Sequence, residues 1–369
     1  MSEPTHSLPK EENAAPEHGI QVSIVVACRN EIEHVHSFLD SLLGQEFPGV
    51  RWEAIIADGL SDDGTREILD QYSRRHPQVR VITNPARIVS AGLNGAIVAS
   101  RGEIIIRMDS HTRYAPDYCR LCVETLKDTG ADNVGGPART NATGTYARAV
   151  AAAYHSPFCT GAKFHDINYE GWVDTVTYGC WYRATFERIG LFDESLVRNQ
   201  DDEFNLRLSR AGGKIWQNPR IISWYSPRTT LTGVFLQYFQ YGFWKVAVVR
   251  KHKIPGSWRH SVPVLFVLAN LFFLATVAVA GMMGNPHLAF TAASAFTLLL
   301  SAYAIANLFA SVAAATRAGW DLFPFLPGAF ATFHFSWGLG FLVGLLRLRA
   351  ETGRPLTLAV DSTFTRLTR

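Results

Sequence analysis

The sequence has little net charge and almost no acidic residues after residue 203. Its 35 lysines and arginines are nearly balanced by 32 aspartates and glutamates. It therefore lacks the strongly basic character that attracts nucleic acid, and we expect no nucleic-acid partner. Almost all the acids lie before residue 204. The two parts of the chain therefore differ in composition.

Cysteines are few, and their spacing is irregular. Five residues, an odd number, do not indicate a disulfide framework, and a reducing, cytosolic compartment fits this usage. Cys119 and Cys122 form one CxxC pair with no second pair, in a stretch at 117–127 with a helical pattern. One face of a helix is the simpler interpretation of this pair, and zinc or redox chemistry is the alternative.

Residues 1–20 lack the apolar run of a signal peptide. They contain Pro4, Pro9 and Pro16 among mixed charges, which is typical of a disordered tail. A second tail, at residues 348–369, is basic.

Strand and helix patterns alternate through the first part of the chain. The apolar, β-branched run Val22–Ala27 predicts a strand buried on both faces. Further strands are predicted at 52–57, 79–83, 103–108, 134–137 and 175–178, and helices at 31–43, 63–75, 88–99 and 201–211. Because strands alternate with helices at this spacing, we predict βαβ units and a mostly parallel, Rossmann-like sheet.

Long apolar runs dominate the second part. Residues 262–283, 288–313 and 323–346 each reach the ~20 residues that cross a bilayer, without Asp, Glu, Lys or Arg. We therefore predict three transmembrane helices within 261–347. The preceding segment, 229–260, is aromatic and amphipathic. It is predicted to lie in the membrane interface, with packing on the soluble domain as the alternative.

The charges that flank the apolar runs do not agree on an orientation. The basic cluster at 250–259 places the start of the first run in the cytosol, and Arg317 does the same for the second loop. Three spans would then export a tail that contains Arg347, Arg349, Arg354, Arg366 and Arg369. Either the charge bias at the first span sets the orientation of the whole chain, or one segment is re-entrant and the tail stays cytosolic.

Polar residues follow three of the predicted strands. They lie in the loops 28–31, 58–64 and 109–111, and each loop contains an acid. An acid at a helix start is usually only a cap. Because ligands bind at the carboxyl ends of parallel strands, however, these three loops together predict one site.

The order of these motifs resembles that of family 2 glycosyltransferases with the GT-A fold. The segment 57–65 (ADGLSDDGT), the triplet 109–111 (DSH) and the three apolar runs are most similar to the succinoglycan-biosynthesis (ExoA-type) branch. The resemblance covers roughly residues 21–345. It implies a GT-A domain at 21–228 followed by transmembrane helices.

The resemblance also implies which residues bind the donor. A nucleotide sugar would contact Ala27, Arg29, Glu31, Asp58, Arg87 and Asp109, with Asp58 accepting a base N–H. Asp109 matches the first acid of a DxD motif, in which Mg²⁺ or Mn²⁺ bridges the departing diphosphate. His111 replaces the second acid. An imidazole ligand suits Mn²⁺ better than Mg²⁺, and a hydrogen-bonded loop histidine is the alternative.

The acidic run at 201–203 matches the place of the general base. Gln200 replaces the glutamate usual in the family, and Asp201 falls at the base position, with Asp202 as its substitute. Three adjacent acids would repel one another, which favours a raised pKa in one of them. Helix capping is the alternative.

Candidate acceptor residues are aromatic or lie near an incomplete QxxRW motif. They are Tyr178, Trp181, Gln240 and Trp244. Phe243 stands where that motif has arginine. Core packing is the alternative for the first two, and membrane anchoring for Trp244.

Together these features predict an inverting, metal-dependent glycosyltransferase on the cytoplasmic face of an inner membrane. It would move a hexose from a nucleotide sugar, of the UDP-glucose type, to a polyprenyl-diphosphate-linked saccharide in exopolysaccharide biosynthesis. A processive polysaccharide synthase and a catalytically inactive membrane scaffold are the alternatives.

Overall fold

A computed structural model describes residues 19–159, 163–225, 228, 230–253 and 258–349. Except for a few residues at their inner ends, both predicted tails lie outside this range. The strands are β1 (Val22–Cys28), β2 (Trp52–Asp58), β3 (Val79–Thr83), β4 (Ile104–Asp109), β5 (Thr112–Tyr114), β6 (Asn133–Gly135), β7 (Ala138–Thr140), β8 (Gly171–Val173), β9 (Cys180–Tyr182), β10 (Ile215–Gln217) and β11 (Ser223–Tyr225). The helices are α1 (Val35–Leu43), α2 (Thr65–Arg75), α3 (Val89–Ala99), α4 (Tyr118–Thr129), α5 (Thr145–Tyr154), α6 (Arg183–Ile189), α7 (Gln200–Arg210), α8 (Leu231–His252), α9 (Ser261–Met282), α10 (Pro286–Ala318) and α11 (Leu326–Arg349).

An eight-stranded sheet forms the centre of the first domain. Its order is β3-β2-β1-β4-β9-β6-β10-β8, and the first four strands are parallel. The continuous apolar run of β1 is buried on both faces, as its sequence predicts, because helices cover both sides of the sheet. A smaller sheet of order β5-β11-β7 lies beside it.

The strand register brings three predicted loops together. Cys28 pairs with Asp58, and Ala27 pairs with Asp109. The carboxyl ends of β1, β2 and β4 therefore lie side by side. The register confirms the expected mostly parallel α/β fold and brings the three polar loops to one edge of the sheet.

Most of the early predicted elements occur within a few residues of the expected ends. One prediction is wrong, because residues 175–178 form no strand. Tyr178 and Gly179 have positive φ angles of 64° and 111°, which bend the chain, and β9 begins only at Cys180. Cys119 and Cys122 lie on the core face of α4, as the simpler interpretation expects.

The four last helices form a second layer. α8 buries Phe243 and Trp244 against Leu196 of the first domain. α11 packs along α8, and α9 and α10 form a hairpin. α9, α10 and α11 are each long and apolar enough to cross a membrane.

Candidate active site

A cavity of about 840 Å³ opens at the carboxyl ends of the parallel strands. One end is lined by the β1 loop, including Ala27 and Arg29. The other end reaches Pro263 at the start of α9 and Trp337 on α11. The cavity therefore connects the edge of the sheet to the apolar helices.

Most of the predicted donor-binding residues line the first end. Ala27, Arg29, Glu31, Arg87 and Asp109 all contribute to its wall.

Asp58 is 1% exposed and lies behind this wall. Its carboxylate accepts a 2.6 Å hydrogen bond from the hydroxyl of Ser61 and a longer one from the Ser61 N–H. In this conformation Asp58 holds the turn after β2 rather than facing the cavity.

Asp109 is held by an arginine from its own strand. Arg107 Nε and Nη2 donate to the two carboxylate oxygens of Asp109 at 3.1 and 3.2 Å. The two side chains share a face of β4 because residues i and i+2 of a strand point the same way. A forked arginine–carboxylate pair fixes the carboxylate orientation as well as its charge.

Arg107 also faces the proposed base. Its Nη1 lies 3.8 Å from Asp201 Oδ2 and has no hydrogen-bond partner, although the arginine is only 4% exposed. The guanidinium carbon of Arg107 lies 5.9 Å from the centroid of the Tyr178 ring. Burial opposes its charge, but the carboxylates of Asp109 and Asp201 raise the pKa of Arg107. One buried cation therefore links the two acids.

The residues around Asp109 suit a divalent cation in part. His111 Nδ1 lies 3.8 Å from Glu31 Oε1. Burial, followed by the nearby Asp109 charge, raises the pKa of Glu31 to about 7, and burial lowers the pKa of His111. A cation would relieve this crowding of acids. No three metal-ligating side chains in the described part of the chain converge on one point. Protein groups would therefore supply only part of a coordination shell, which is usual for Mg²⁺ bound with phosphates.

The three acids at the start of α7 point to different cations. Asp202 forms a 2.5 Å ion pair with the buried Lys245 of α8. Glu203 is fully buried and pairs with Arg207 at 2.9 Å. Asp201 keeps 46% of its side chain exposed and lines the cavity. Separate cationic partners therefore offset the expected repulsion between the three acids. Of the three, Asp201 has the most accessible carboxylate.

Only one of the four candidate acceptor residues lines the cavity. Tyr178 does so, whereas Trp181 is buried in a cluster with Phe186, Phe192 and Phe204. Gln240 and Trp244 are 7% and 1% exposed on α8, away from the wall. The core-packing alternative fits Trp181, and neither tryptophan is placed to stack on a sugar in the cavity.

Other tyrosines surround Asp201 instead. Tyr154, Tyr225 and Tyr241 line the cavity. Burial, together with the neighbouring Tyr225 and Asp201, raises the pKa of Tyr241 to about 12. No periodic pattern identifies these three residues, because α5, β11 and α8 are distant in the chain and meet only in the fold. Arg107 was also missed, although its position two residues before Asp109 in a strand places both on one face.

Comparison with known proteins agrees with this architecture. Residues 23–189 match the model described as "Glycosyl transferase family 2". The succinoglycan biosynthesis protein ExoA of Rhizobium meliloti is 33% identical over 263 residues, which is 70% of this chain and 79% of the relative. A glucuronosyltransferase of Methanococcus voltae, named as acting on dolichyl N-acetyl-alpha-D-glucosaminyl phosphate, is 25% identical over 88% of this chain and 97% of its own length.

One solved structure has the same fold over most of both chains. The mannosyltransferase PcManGT from Pyrobaculum calidifontis, in complex with GDP-Man and Mn²⁺, has a TM-score of 0.54 at 20% identity, covering 90% of this chain and 91% of that one. The family is shown by sequence: the match to the Rhizobium protein, together with the family model, places the chain in glycosyltransferase family 2.

Proposed function

We propose that the protein is an inverting, metal-dependent hexosyltransferase. It takes a sugar from a UDP-linked donor of the UDP-glucose type and adds it to a polyprenyl-diphosphate-linked saccharide. It acts on the cytoplasmic face of an inner membrane, within exopolysaccharide assembly. The naming of the Rhizobium relative for succinoglycan biosynthesis supports the pathway, and the dolichyl-linked substrate in the name of the Methanococcus relative supports a lipid-linked acceptor.

A single observation carries the proposal. Asp109 and Asp201 face the same cavity, linked by Arg107, and that cavity continues to α9 and α11. A water-soluble donor can enter at the strand ends, while a lipid-linked acceptor can approach from the apolar helices. Two substrates of opposite solubility need such a passage.

The chain's own residues account for the proton and for the positioning of the reacting groups. Asp201 accepts the proton of the acceptor hydroxyl while the oxygen of that hydroxyl forms a bond to the anomeric carbon of the donor sugar. The bond from that carbon to the donor phosphate breaks, and its electron pair leaves with the nucleoside diphosphate. One displacement of this kind inverts the anomeric centre.

Asp109, with His111 and Glu31 beside it, would hold Mg²⁺ or Mn²⁺. A bound divalent ion neutralises the charge of the departing diphosphate. Arg107 keeps Asp109 oriented throughout, because its fork occupies one side of both carboxylate oxygens.

A processive synthase is the second candidate. Its QxxRW motif is incomplete here, and both Gln240 and Trp244 are buried away from the cavity. These positions favour a single addition. The third candidate is a catalytically inactive scaffold. The presence of both proposed acids, Asp109 and Asp201, in the wall of the cavity argues against it.

One assay separates the three functions. Full-length protein in its membrane receives radiolabelled UDP-glucose, a polyprenyl-diphosphate-linked saccharide and Mn²⁺. A single added sugar supports the proposal, a ladder of products supports the synthase, and no product from any member of a panel of nucleotide sugars supports the scaffold. The donors in that panel include UDP-galactose and GDP-mannose, so that a wrong donor is distinguished from an inactive protein.

A further inference from the structure

α11 is long and apolar enough to cross a membrane, but it runs beside α8 for most of its length. The ring of Tyr238 packs on Phe333 with centroids 4.3 Å apart. Two turns further on, a Cβ added at Gly340 would lie 2.0 Å from the carbonyl oxygen of Phe239. Near the ends, Arg250 Nη2 donates to the carbonyl oxygen of Leu345 at 3.5 Å. The two helices are therefore parallel neighbours over about 12 residues, or ~18 Å.

α8 is fixed to the catalytic domain at points spread along its length. Gln237 donates to the Tyr225 hydroxyl at 3.1 Å. Lys245 pairs with Asp202 at 2.5 Å. Near the last turn, Lys251 Nζ lies 2.7 Å from a carboxylate oxygen of Asp193. The catalytic domain is aqueous, so α8 lies along its surface and does not enter the bilayer end-on.

Both halves of α11 are consequently close to the same domain. At its start, Leu326, Ala329 and Phe330 are buried against Ala149 and Val150 of α5. Further along, Phe341 and Val343 pack on the cluster that contains Leu196. A helix that crossed the bilayer would carry one of these ends ~30 Å away from the domain. In its most apolar stretch, 44% of the residues are buried, against 17% for α9 and 22% for α10.

The lengths of α9 and α10 beyond their contacts with α11 indicate how deep α11 lies in the membrane. α9 meets α11 where Val267 touches Gly338, and about 15 residues, or ~22 Å, remain to Met282. On α10, Tyr303 meets His334 of α11 at 3.0 Å, which leaves about 17 residues, or ~26 Å, back to Pro286. Both arms fall short of ~30 Å of hydrocarbon by less than the ~10 Å diameter of one helix.

We propose that α11 lies in the plane of the membrane, embedded in the leaflet that faces the catalytic domain, and that the chain crosses the bilayer only twice, through α9 and α10. Each arm of the hairpin is a few ångströms shorter than the hydrocarbon layer. The diameter of α11, which lies within that layer, accounts for the difference. The partner of this surface is lipid, and the exposed apolar side chains of α9 and α10 continue it across the membrane.

This arrangement also resolves the charge pattern. With two crossings, the arginine-rich segment after α11 remains on the side of the catalytic domain and of the basic cluster at 250–259. All the strongly basic segments near the membrane then lie on one side, as the positive-inside tendency requires. Three crossings would separate them.

Cysteine labelling tests the number of crossings without any assay of activity, so its result does not depend on the proposed function. Full-length protein carries Cys159→Ala, because Cys159 is the one native cysteine that is not buried. Into this background we would place one new cysteine at a time: Lys127→Cys on α4, His287→Cys at the tip of the hairpin, and Ser362→Cys beyond α11. A membrane-impermeant maleimide is applied to sealed inside-out and right-side-out vesicles.

The expected result is that Ser362→Cys and Lys127→Cys label from the same side, and His287→Cys from the opposite side. In that case at least a tenfold preference for one vesicle orientation is expected for each variant. Labelling of Ser362→Cys from the side of His287→Cys would mean that α11 crosses the bilayer, and it would overturn the proposal. The parent Cys159→Ala protein gives the background labelling.

Discussion

At the scale of single residues, the start of α7 shows how similar acids acquire different tasks. Asp201 and Asp202 both line the cavity, but Asp202 is paired with buried Lys245, whereas Asp201 has the more exposed carboxylate. We expect Asp201→Asn to lower kcat by about 10²- to 10⁴-fold, the usual contribution of a general base. Donor affinity should stay within about twofold, because the substitution keeps the size of the side chain. Steady-state kinetics and UDP binding by calorimetry measure the two quantities.

Asp202→Asn is the matched control. It removes the acid from the Lys245 pair and leaves a buried cation without its partner, so the thermal midpoint should fall. Its kcat per folded molecule should exceed that of Asp201→Asn by at least tenfold. If the two variants have equal kcat, Asp201 is not the base.

Arg107 combines charge and geometry in one side chain. Arg107→Lys keeps the charge but cannot hold both oxygens of Asp109 and also face Asp201. We expect kcat to fall about 100-fold and the donor KM to rise, with only a small loss of thermal stability. Arg107→Met should in addition lower the thermal midpoint, because Asp109 and Asp201 then lose the cation that lies between them.

The conservative change separates positioning from folding. Arg113→Lys, at an exposed position on β5 of the smaller sheet, serves as the control and should behave as wild type. An Arg107→Lys protein with normal kcat and donor KM would show that the fork has no part in catalysis.

At the scale of elements, the sequence pattern predicts those strands and helices whose burial follows a regular pattern over many residues. β1, β2 and β4 are buried on both faces, so their apolar runs are unambiguous, and α1 to α3 follow at regular spacing. β7 and β11 have three residues each and pair only with each other and β5, so too little sequence carries their pattern. The failed strand at 175–178 belongs to the same class, because its conformation is set by the bend at Tyr178 and Gly179.

Contacts between distant elements explain what was missed at the site. The end of the cavity at the strands, proposed to bind the donor, was predictable, because parallel strands end at a common edge. The other end, proposed to bind the acceptor, was not, since it is assembled from α5, β11, α8 and α11, and hydrophobic spacing does not encode which faces of these elements meet. Trp181 was a reasonable aromatic candidate by composition alone, yet the fold places it in a core with three phenylalanines.

The contact between α8 and α11 depends on glycines. A Cβ at Gly340 would meet the Phe239 carbonyl oxygen at 2.0 Å, whereas a Cβ at Gly328 on the same helix would meet nothing within 4 Å. Small residues allow helix backbones to approach in membrane proteins. We expect Gly340→Ala to lower stability by about 1–3 kcal/mol through overpacking. Gly328→Ala should leave it unchanged or slightly higher, because alanine favours helix.

Thermal unfolding in detergent, followed by circular dichroism, measures both alanine variants. Gly340→Ala should also lower transfer to the lipid-linked acceptor, since α11 lines the cavity through Phe333, His334 and Trp337. Equal midpoints for the two variants would contradict the close packing of these helices.

At the scale of the whole molecule, the two ends of one cavity should have separable tasks. Arg87 lies at the proposed donor end, a few residues after β3. Arg198 lines the cavity near Tyr241, with a buried Nε that has no hydrogen-bond partner. Removing a charged hydrogen-bond donor that contacts an anion costs about 1.5–3 kcal/mol, or roughly 10- to 150-fold in affinity. We therefore expect Arg87→Gln to raise the donor KM by about that factor and leave the acceptor KM near wild type, and Arg198→Gln to do the reverse.

The pair of substitutions is its own control, because both remove one arginine from the same cavity. The acceptor KM is measured at saturating UDP-sugar and the donor KM at saturating lipid-linked saccharide. Donor hydrolysis in the absence of acceptor gives a further distinction, since it should fall in Arg87→Gln and persist in Arg198→Gln. If both variants raise the same KM, the cavity binds one substrate only. The acceptor would then have to reach Asp201 by a route other than the passage that leads from α9 and α11, and the division of the molecule into a donor side and a lipid side would fail with it.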